Sequence, residues 1–306
     1  MKKYLLYILL LLFVVACSPS PQRLASTSEE WVLEKHILRL EKRIKKHPDW
    51  YEPYLLRGQA HYKLSQYNEA LENFDQVIQL NPQSVIGRYN RAMTYVNMGQ
   101  RIEALTDFQT VLTLDSLHKP TMAHLGFLYV KIDSFRKAVD IMDRAIRHYP
   151  EHIPFYSLRG AAFYYLDEPR LAIYDYSVII ERHPRDTDAL VQRALAHYAL
   201  REYDMAKEDL ATVLKADDNV DIAWYQRALI DVQEGAYDRA VQHVNKAIRL
   251  NPRRGQYYFT RGLARLNLNR EAQARADFDQ AMLKNPTLKI QIDQVVAEQE
   301  AMLRDE

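Results

Sequence analysis

The sequence predicts an all-α protein built from pairs of helices repeated every 34 residues. Three observations predict it. Written in rows of 34, the chain gives seven rows without a gap, starting at Tyr51, Val85, Lys119, Ile153, Thr187, Asp221 and Gly255. Position 20 of every row is alanine: Ala70, Ala104, Ala138, Ala172, Ala206, Ala240 and Ala274. Each row also carries two apolar patterns of helical period, parted near position 15 by turn formers such as Ser65, Gly99, Asp133, Asp167, Gly235 and Asn269. A fixed period of this length marks stacked supersecondary units, none of which can bury its apolar face alone.

From the start of the chain, Met1-Lys2-Lys3 is a short positive segment and Tyr4 to Val15 an apolar run. A helix crossing a bilayer needs roughly 20 apolar residues, so residues 1–16 read as a signal peptide and not a permanent span. The run ends in Val14-Val15-Ala16-Cys17, which resembles the lipobox of bacterial lipoproteins. The resemblance implies cleavage before Cys17, lipidation of its sulfur and attachment to a membrane through that lipid. Ser18, not aspartate, follows Cys17. By similarity to the enterobacterial sorting rule, this implies the periplasmic face of the outer membrane. Cys17 is the only cysteine, which excludes intramolecular disulfides and multi-cysteine metal sites. Residues 17–28, rich in Ser and Pro, are expected to be a flexible linker.

Residues 29–50 precede the first full row in the register of a second helix, with Pro48 at position 32. They are expected to form a half repeat that caps the amino end, with Ser28 as N-cap. Its Lys35, Arg39, Lys42, Arg43, Lys45 and Lys46 outnumber Glu30, Glu34 and Glu41. Basic residues suit the end of a helix, and next to a lipid anchor they also suit anionic head groups. At the other end, Leu288, Ile292, Val295, Val296, Met302 and Leu303 keep helical spacing. Residues 289–306 are therefore expected to cap the stack.

Between the caps, residues 51–288 divide into rows 51–84, 85–118, 119–152, 153–186, 187–220, 221–254 and 255–288. Position 8 is always Gly or Ala (Gly58, Ala92, Gly126, Gly160, Ala194, Ala228, Gly262), and position 24 is bulky (Phe74, Phe108, Met142, Tyr176, Leu210, Val244, Phe278). Small residues let two helices approach, and the bulky group fills the volume beside the contact. Position 32 is proline in five rows (Pro82, Pro150, Pro184, Pro252, Pro286), which ends the second helix. These columns resemble the tetratricopeptide repeat (TPR). The resemblance implies a right-handed α-solenoid of seven helix pairs, and a protein that binds other proteins.

Two further columns vary together. Position 7 is Arg57, Arg91, Leu125, Arg159, Arg193, Arg227 and Arg261, and position 23 is Asn73, Asp107, Ile141, Asp175, Asp209, His243 and Asp277. The one row without Arg carries Ile where Asp would stand. This predicts structural ion pairs Arg91–Asp107, Arg159–Asp175, Arg193–Asp209 and Arg261–Asp277, in which the planar guanidinium grips a carboxylate.

No catalytic signature is present, neither His-Glu-x-x-His nor a Gly-rich phosphate loop nor Gly-x-Ser-x-Gly. The ten histidines are scattered. His47, His148 and His183 sit where a cation complements a helix C-terminus. His61 and His197 share position 11 with Tyr95, Tyr129 and Phe163 and read as packing residues. At the same position, Asp231 and Arg265 of adjacent rows are expected to pair. The sequence thus predicts no enzyme, no cofactor and no metal. Net charge is +1 and gives no electrostatic case for nucleic acid.

Positions 5, 9 and 12 of the first helices form a stripe that, by resemblance, lines the concave face. All its members but Gln59 and Ser157 are hydrophobic, counting tyrosine. Exposed apolar surface marks interaction sites, and tyrosine, of which the chain has 21, suits them. The expected partner-binding residues are Tyr62, Tyr89, Met93, Phe127, Tyr164, Tyr165, Tyr198, Tyr225 and Phe259. The competing reading is that superhelical packing buries positions 9 and 12. Of the family's carboxylate-clamp positions, Leu55, Gln59, Asn90, Pro120 and His124, only Asn90 fits, so an apolar protein or peptide segment is the expected ligand. The expectation is a lipid-anchored adaptor of the cell envelope. Its alternative is a self-associating protein, a homodimer for example, whose groove is filled by a second copy or its own terminal helix.

Overall fold

The computed structural model describes residues 27–302. Among these residues it contains sixteen α-helices and no strand. Helix α1 spans Thr27–Lys46. Seven pairs follow: α2 (Tyr51–Lys63) and α3 (Tyr67–Leu80), α4 (Val85–Asn97) and α5 (Arg101–Leu114), α6 (Lys119–Lys131) and α7 (Phe135–His148), α8 (Ile153–Tyr165) and α9 (Pro169–Arg182), α10 (Thr187–Ala199) and α11 (Tyr203–Ala216), α12 (Asp221–Gln233) and α13 (Tyr237–Leu250), α14 (Gly255–Asn267) and α15 (Glu271–Lys284). A 3-10 turn, Pro286–Leu288, leads to α16 (Lys289–Met302). Because α1 begins at Thr27, Ser28 lies inside the helix and is not its N-cap. The signal peptide, Cys17 and the linker to residue 26 fall outside the described residues.

The period is reproduced to the residue. Every first helix covers positions 1–13 of its row and every second helix positions 17–30. Position 15 turns the chain: Ser65, Gly99, Asp133, Asp167, Arg201, Gly235 and Asn269 all have positive φ, between 56° and 75°. In the left-handed region the next amides reach back to the helix end. Ser65 N–H donates to Tyr62 O and Gln66 N–H to His61 O at 2.9 Å, a pattern shared by Gly99 and Gln100 with Val96 and Tyr95. These bonds satisfy carbonyls that the helix leaves open.

The chain divides into two units, Met1–Leu166 and Asp167–Glu306. In the first, successive helices from α1 to α8 pack on one another, with α6 also touching α8. In the second, the same consecutive packing runs from α9 to α15, and the 3-10 turn packs on α14, α15 and α16. All seven position-20 alanines are fully buried. A Cβ added to Gly58, Gly126 or Gly262 would come within 2.7 Å of Phe74, Met142 or Phe278 respectively, so position 8 sits directly against position 24. In α1 Ile37 and Leu40 are buried, and Leu288 of the 3-10 turn and Ile292 of α16 are buried beside Phe278.

A second set of contacts between rows was not legible as a column. Position-4 side chains donate to the carbonyl at position 32 of the row before: Tyr54 to Pro48 O (3.3 Å), Arg88 to Pro82 O (3.0 Å), Tyr156 to Pro150 O (3.0 Å), Trp224 Nε1 to Asp218 O (2.8 Å) and Tyr258 to Pro252 O (3.2 Å). The residues share a donor but not a type. They satisfy a carbonyl beyond the helix end, and three tyrosines are used this way.

Candidate partner-binding stripe and the charged ladder

Three members of the arginine column, Arg91, Arg193 and Arg261, are bonded on both sides. Arg91 Nε and Nη2 donate to Asp107 Oδ2 and Oδ1, each at 2.7 Å, and Nη1 donates to Asp75 Oδ1 at 2.7 Å. Arg193 grips Asp209 through Nε (2.9 Å) and Nη2 (2.6 Å) and reaches Ser177 Oγ at 3.0 Å. Arg261 does the same with Asp277 (Nη2 to Oδ1, 2.6 Å) and Asn245 Oδ1 (2.7 Å). Arg57 Nε donates to Asn73 Oδ1 at 2.7 Å. Arg57, Arg91, Arg193 and Arg261 therefore reach the residue sixteen ahead, on their own second helix, and the last three also reach the residue sixteen behind, on the previous one. Arg159 shows the backward contact, to Asp143 at 2.6 Å. The Arg159–Asp175 pair spans the two units and stays an expectation from the sequence.

Asp107, Asp209 and Asp277 are buried. Buried carboxylates are tolerable because each receives two charge-assisted bonds. The same bonding raises the Arg91 and Arg193 pKa values, chiefly through Asp107 and Asp209 respectively. These arginines are internally neutralised, not an anion-binding stripe.

Asp231 and Arg265 do not pair with each other. Arg265 Nη1 joins Asp277 Oδ2 at 2.8 Å, and Asp231 binds His243 Nδ1 at 2.6 Å and Arg239 Nε at 3.1 Å. Burial would raise the Asp231 carboxyl, but His243 and Arg239 together hold it below its ordinary value. At position 11, His61 and His197 bond to Gln66 Oε1 and Glu202 Oε2, each at 2.7 Å, which ties the helix end to its turn.

The stripe at positions 5, 9 and 12 is half-buried and not openly exposed. Val130, Ala161, Val191, Leu195 and Tyr225 are buried and the remainder intermediate. In the first unit, Tyr62 OH accepts from Asn97 Nδ2 of the next row at 2.6 Å, and burial raises the Tyr62 and Tyr89 hydroxyls. Met93 and Phe127 pack at the edge of the first unit's core, and Tyr164 meets Tyr165 edge-on at 5.8 Å. In the second unit, Tyr198 lies 5.8 Å from Tyr203 and burial pushes its hydroxyl up to about 12. Phe259 packs beside Phe278.

One of the expected binding residues, Tyr225, is sealed in the core. Tyr225 is 8% exposed, its ring 4.7 Å from Tyr257 and its hydroxyl within 3.4 Å of Thr260, so it is a core residue of its unit. Tyr165 occupies position 13 and stacks on Phe135 at 4.8 Å, with its hydroxyl pushed up to about 12 by burial. Tyr165 stays half-buried, as Tyr198 does, whereas Tyr225 is sealed because the packing of adjacent rows decides exposure, which residue type does not encode. Among the described residues no cluster of three or more His, Cys, Asp or Glu could hold a metal ion, and no helix is long and apolar enough to cross a membrane.

Family models for the TPR repeat match residues 47–99, and tetratricopeptide repeat models match 87–116, 191–253 and 225–286. The chain belongs to the tetratricopeptide repeat family. Solved TPR structures are similar in fold. The C-terminal part of a TPR repeat-containing protein from Cytophaga hutchinsonii is 21% identical, with a TM-score of 0.59, over 78% of this chain and 98% of that one. A TPR protein from Parabacteroides merdae is 17% identical, with a TM-score of 0.54, over 78% and 94%. YrrB, described as a TPR protein with an unusual peptide-binding site, is 24% identical, with a TM-score of 0.51, over 60% and 94%. No curated protein matches the chain. TPR proteins are in general non-catalytic scaffolds that bind proteins or peptides.

Proposed function

We propose that this TPR protein is a non-catalytic adaptor, anchored by lipid on Cys17 at the periplasmic face of the outer membrane. It holds a protein or peptide segment against the first-helix stripe. The observation that carries the binding role is that stripe: Tyr62, Tyr89, Met93 and Phe127 in the first unit, and Tyr198 and Phe259 in the second, are neither sealed in a core nor solvated. Half-buried aromatic and thioether groups give an extended segment apolar area at little cost in rotamer entropy. The peptide site described for YrrB supports the fold's capacity for such a ligand.

The anchor rests on the sequence ending in Cys17, with the linker placing the first row near the bilayer. Two acyl chains hold a protein stably where one does not. Cys17→Ser is expected to move the protein from the membrane fraction to the soluble one. Retention of that variant on membranes contradicts lipid anchoring. For the stripe, chemical crosslinking in native membranes compares wild type with Tyr62→Ala/Tyr89→Ala. The double variant is expected to lose its principal crosslinked species while melting near the wild type, and equal capture by both contradicts the assignment.

A further inference from the structure

We propose that the third row carries a separate docking cleft for the C-terminal residue of a partner protein, reading an aliphatic side chain together with its free carboxylate. The cleft arises where the charged ladder is broken. In the second, fifth and seventh rows the position-7 arginine bridges its own second helix and the preceding one, as Arg91 does between Asp107 and Asp75, Arg193 between Asp209 and Ser177, and Arg261 between Asp277 and Asn245. The third row has Leu125 and Ile141 at positions 7 and 23. A leucine is too short to span that gap, and a cleft of about 360 Å³ opens between α5 and α7.

Its floor is apolar, formed by Leu112, Leu125 and Ile141, while its mouth is polar. Gln109 occupies the column that elsewhere accepts from the next row's arginine. Here its Nε2 donates to Tyr129 OH at 3.0 Å, which leaves the tyrosine's own proton to give. Arg144 uses Nη2 on Ser116 O at 3.1 Å, and its Nε is buried with no hydrogen-bond partner. Lys137 lies 5.8 Å from the centre of the Tyr129 ring. Asp140 also lines the cleft, exposed at its edge, so two cations face one carboxylate.

Three donors beside an apolar floor call for an acceptor and an aliphatic group held close together. A C-terminal leucine, isoleucine or valine carries both on one carbon. A fatty acid shares this chemistry, but the cleft opens to solvent and would leave most of an acyl chain wet. The Arg144 guanidinium and the Lys137 ammonium, both lining the cleft, are the cations that a bound carboxylate would meet. The cleft lies apart from the first-helix stripe and its test is independent of it.

The probe is a fluorescein-labelled Gly/Ser octapeptide ending in leucine, titrated against the purified full chain by anisotropy. The free acid is expected to bind, and its C-terminal amide about ten-fold more weakly, from loss of charge-assisted bonds. Leu125→Arg/Ile141→Asp installs the ion pair that other rows carry and is expected to abolish binding while raising or preserving the melting temperature. Lys137→Gln, an exposed change that leaves the floor intact, is expected to weaken the acid severalfold and the amide hardly at all. Equal binding of acid and amide overturns the proposal, as does unaltered binding by Lys137→Gln or by the folded double variant. Displacement of the peptide by equimolar laurate assigns the cleft to an acyl chain and overturns it too. So does the absence of wild-type binding at millimolar peptide.

Discussion

Asp277 shows how much a single side chain holds in this protein. It is 2% exposed and accepts from both Arg261 and Arg265. Asp277→Ala leaves two guanidinium groups without their carboxylate and is expected to cost about 3 kcal/mol in denaturant unfolding. Asp75→Ala removes the outer contact of Arg91, a carboxylate whose own side chain is 54% exposed. That change is expected to cost less than about 1 kcal/mol, since water already screens the pair. His124 gives a pH dependence at the same scale. It stacks on Phe108 at 5.6 Å, and burial lowers its pKa, as burial also does for His118 and His152. A histidine lowered on folding binds its proton more readily when unfolded. Its stabilising contribution is therefore complete above the unfolded pKa, near 6.5, and is lost as pH falls through the lower folded value. The melting temperature is expected to drop between pH 7.5 and 5.5, and to drop less in His124→Leu. A drop unchanged in that variant assigns the effect to other groups.

The helix pair was readable at the level of the element because its determinants recur at fixed positions. Alanine at 20, a small residue at 8 and bulk at 24 encode a contact, and the rows repeat it. The turn was read from residues that favour it, yet Arg201 holds the same left-handed conformation, with φ 62°, and no turn preference announces it. Arginine there is imposed by its row. The left-handed region costs an ordinary residue roughly 1–2 kcal/mol, and glycine gives back roughly 0.5–1 kcal/mol through unfolded-chain entropy. Arg201→Gly is thus expected to stabilise by about 0.5–1 kcal/mol, read as a higher urea midpoint at unchanged slope. A lower midpoint shows that the arginine side chain makes a compensating contact. The ladder was half readable: Arg and Asp vary together sixteen apart within a row, whereas the backward acceptors Asp75, Asp143, Ser177 and Asn245 share an oxygen but span three residue types. Tyr225 is sealed against the expectation because burial depends on neighbouring rows, which a single column does not show.

Across the whole chain, regular rows and their exceptions separate structure from recognition. Most charged columns close on themselves, and several tyrosines spend their hydroxyls on carbonyls of the preceding row. What these internal contacts leave is the half-buried first-helix stripe. Whether that stripe meets the partner is tested most directly by placing a photoreactive phenylalanine, one site at a time, in cells. Stripe sites Tyr62, Met93 and Phe259 are compared with Glu72 and Leu283 on second helices, both exposed. The expected result is that the three stripe positions crosslink to the same partner and that Glu72 and Leu283 do not. Crosslinks from Glu72 and Leu283 alone, or stripe crosslinks only to a second copy of this chain, contradict it.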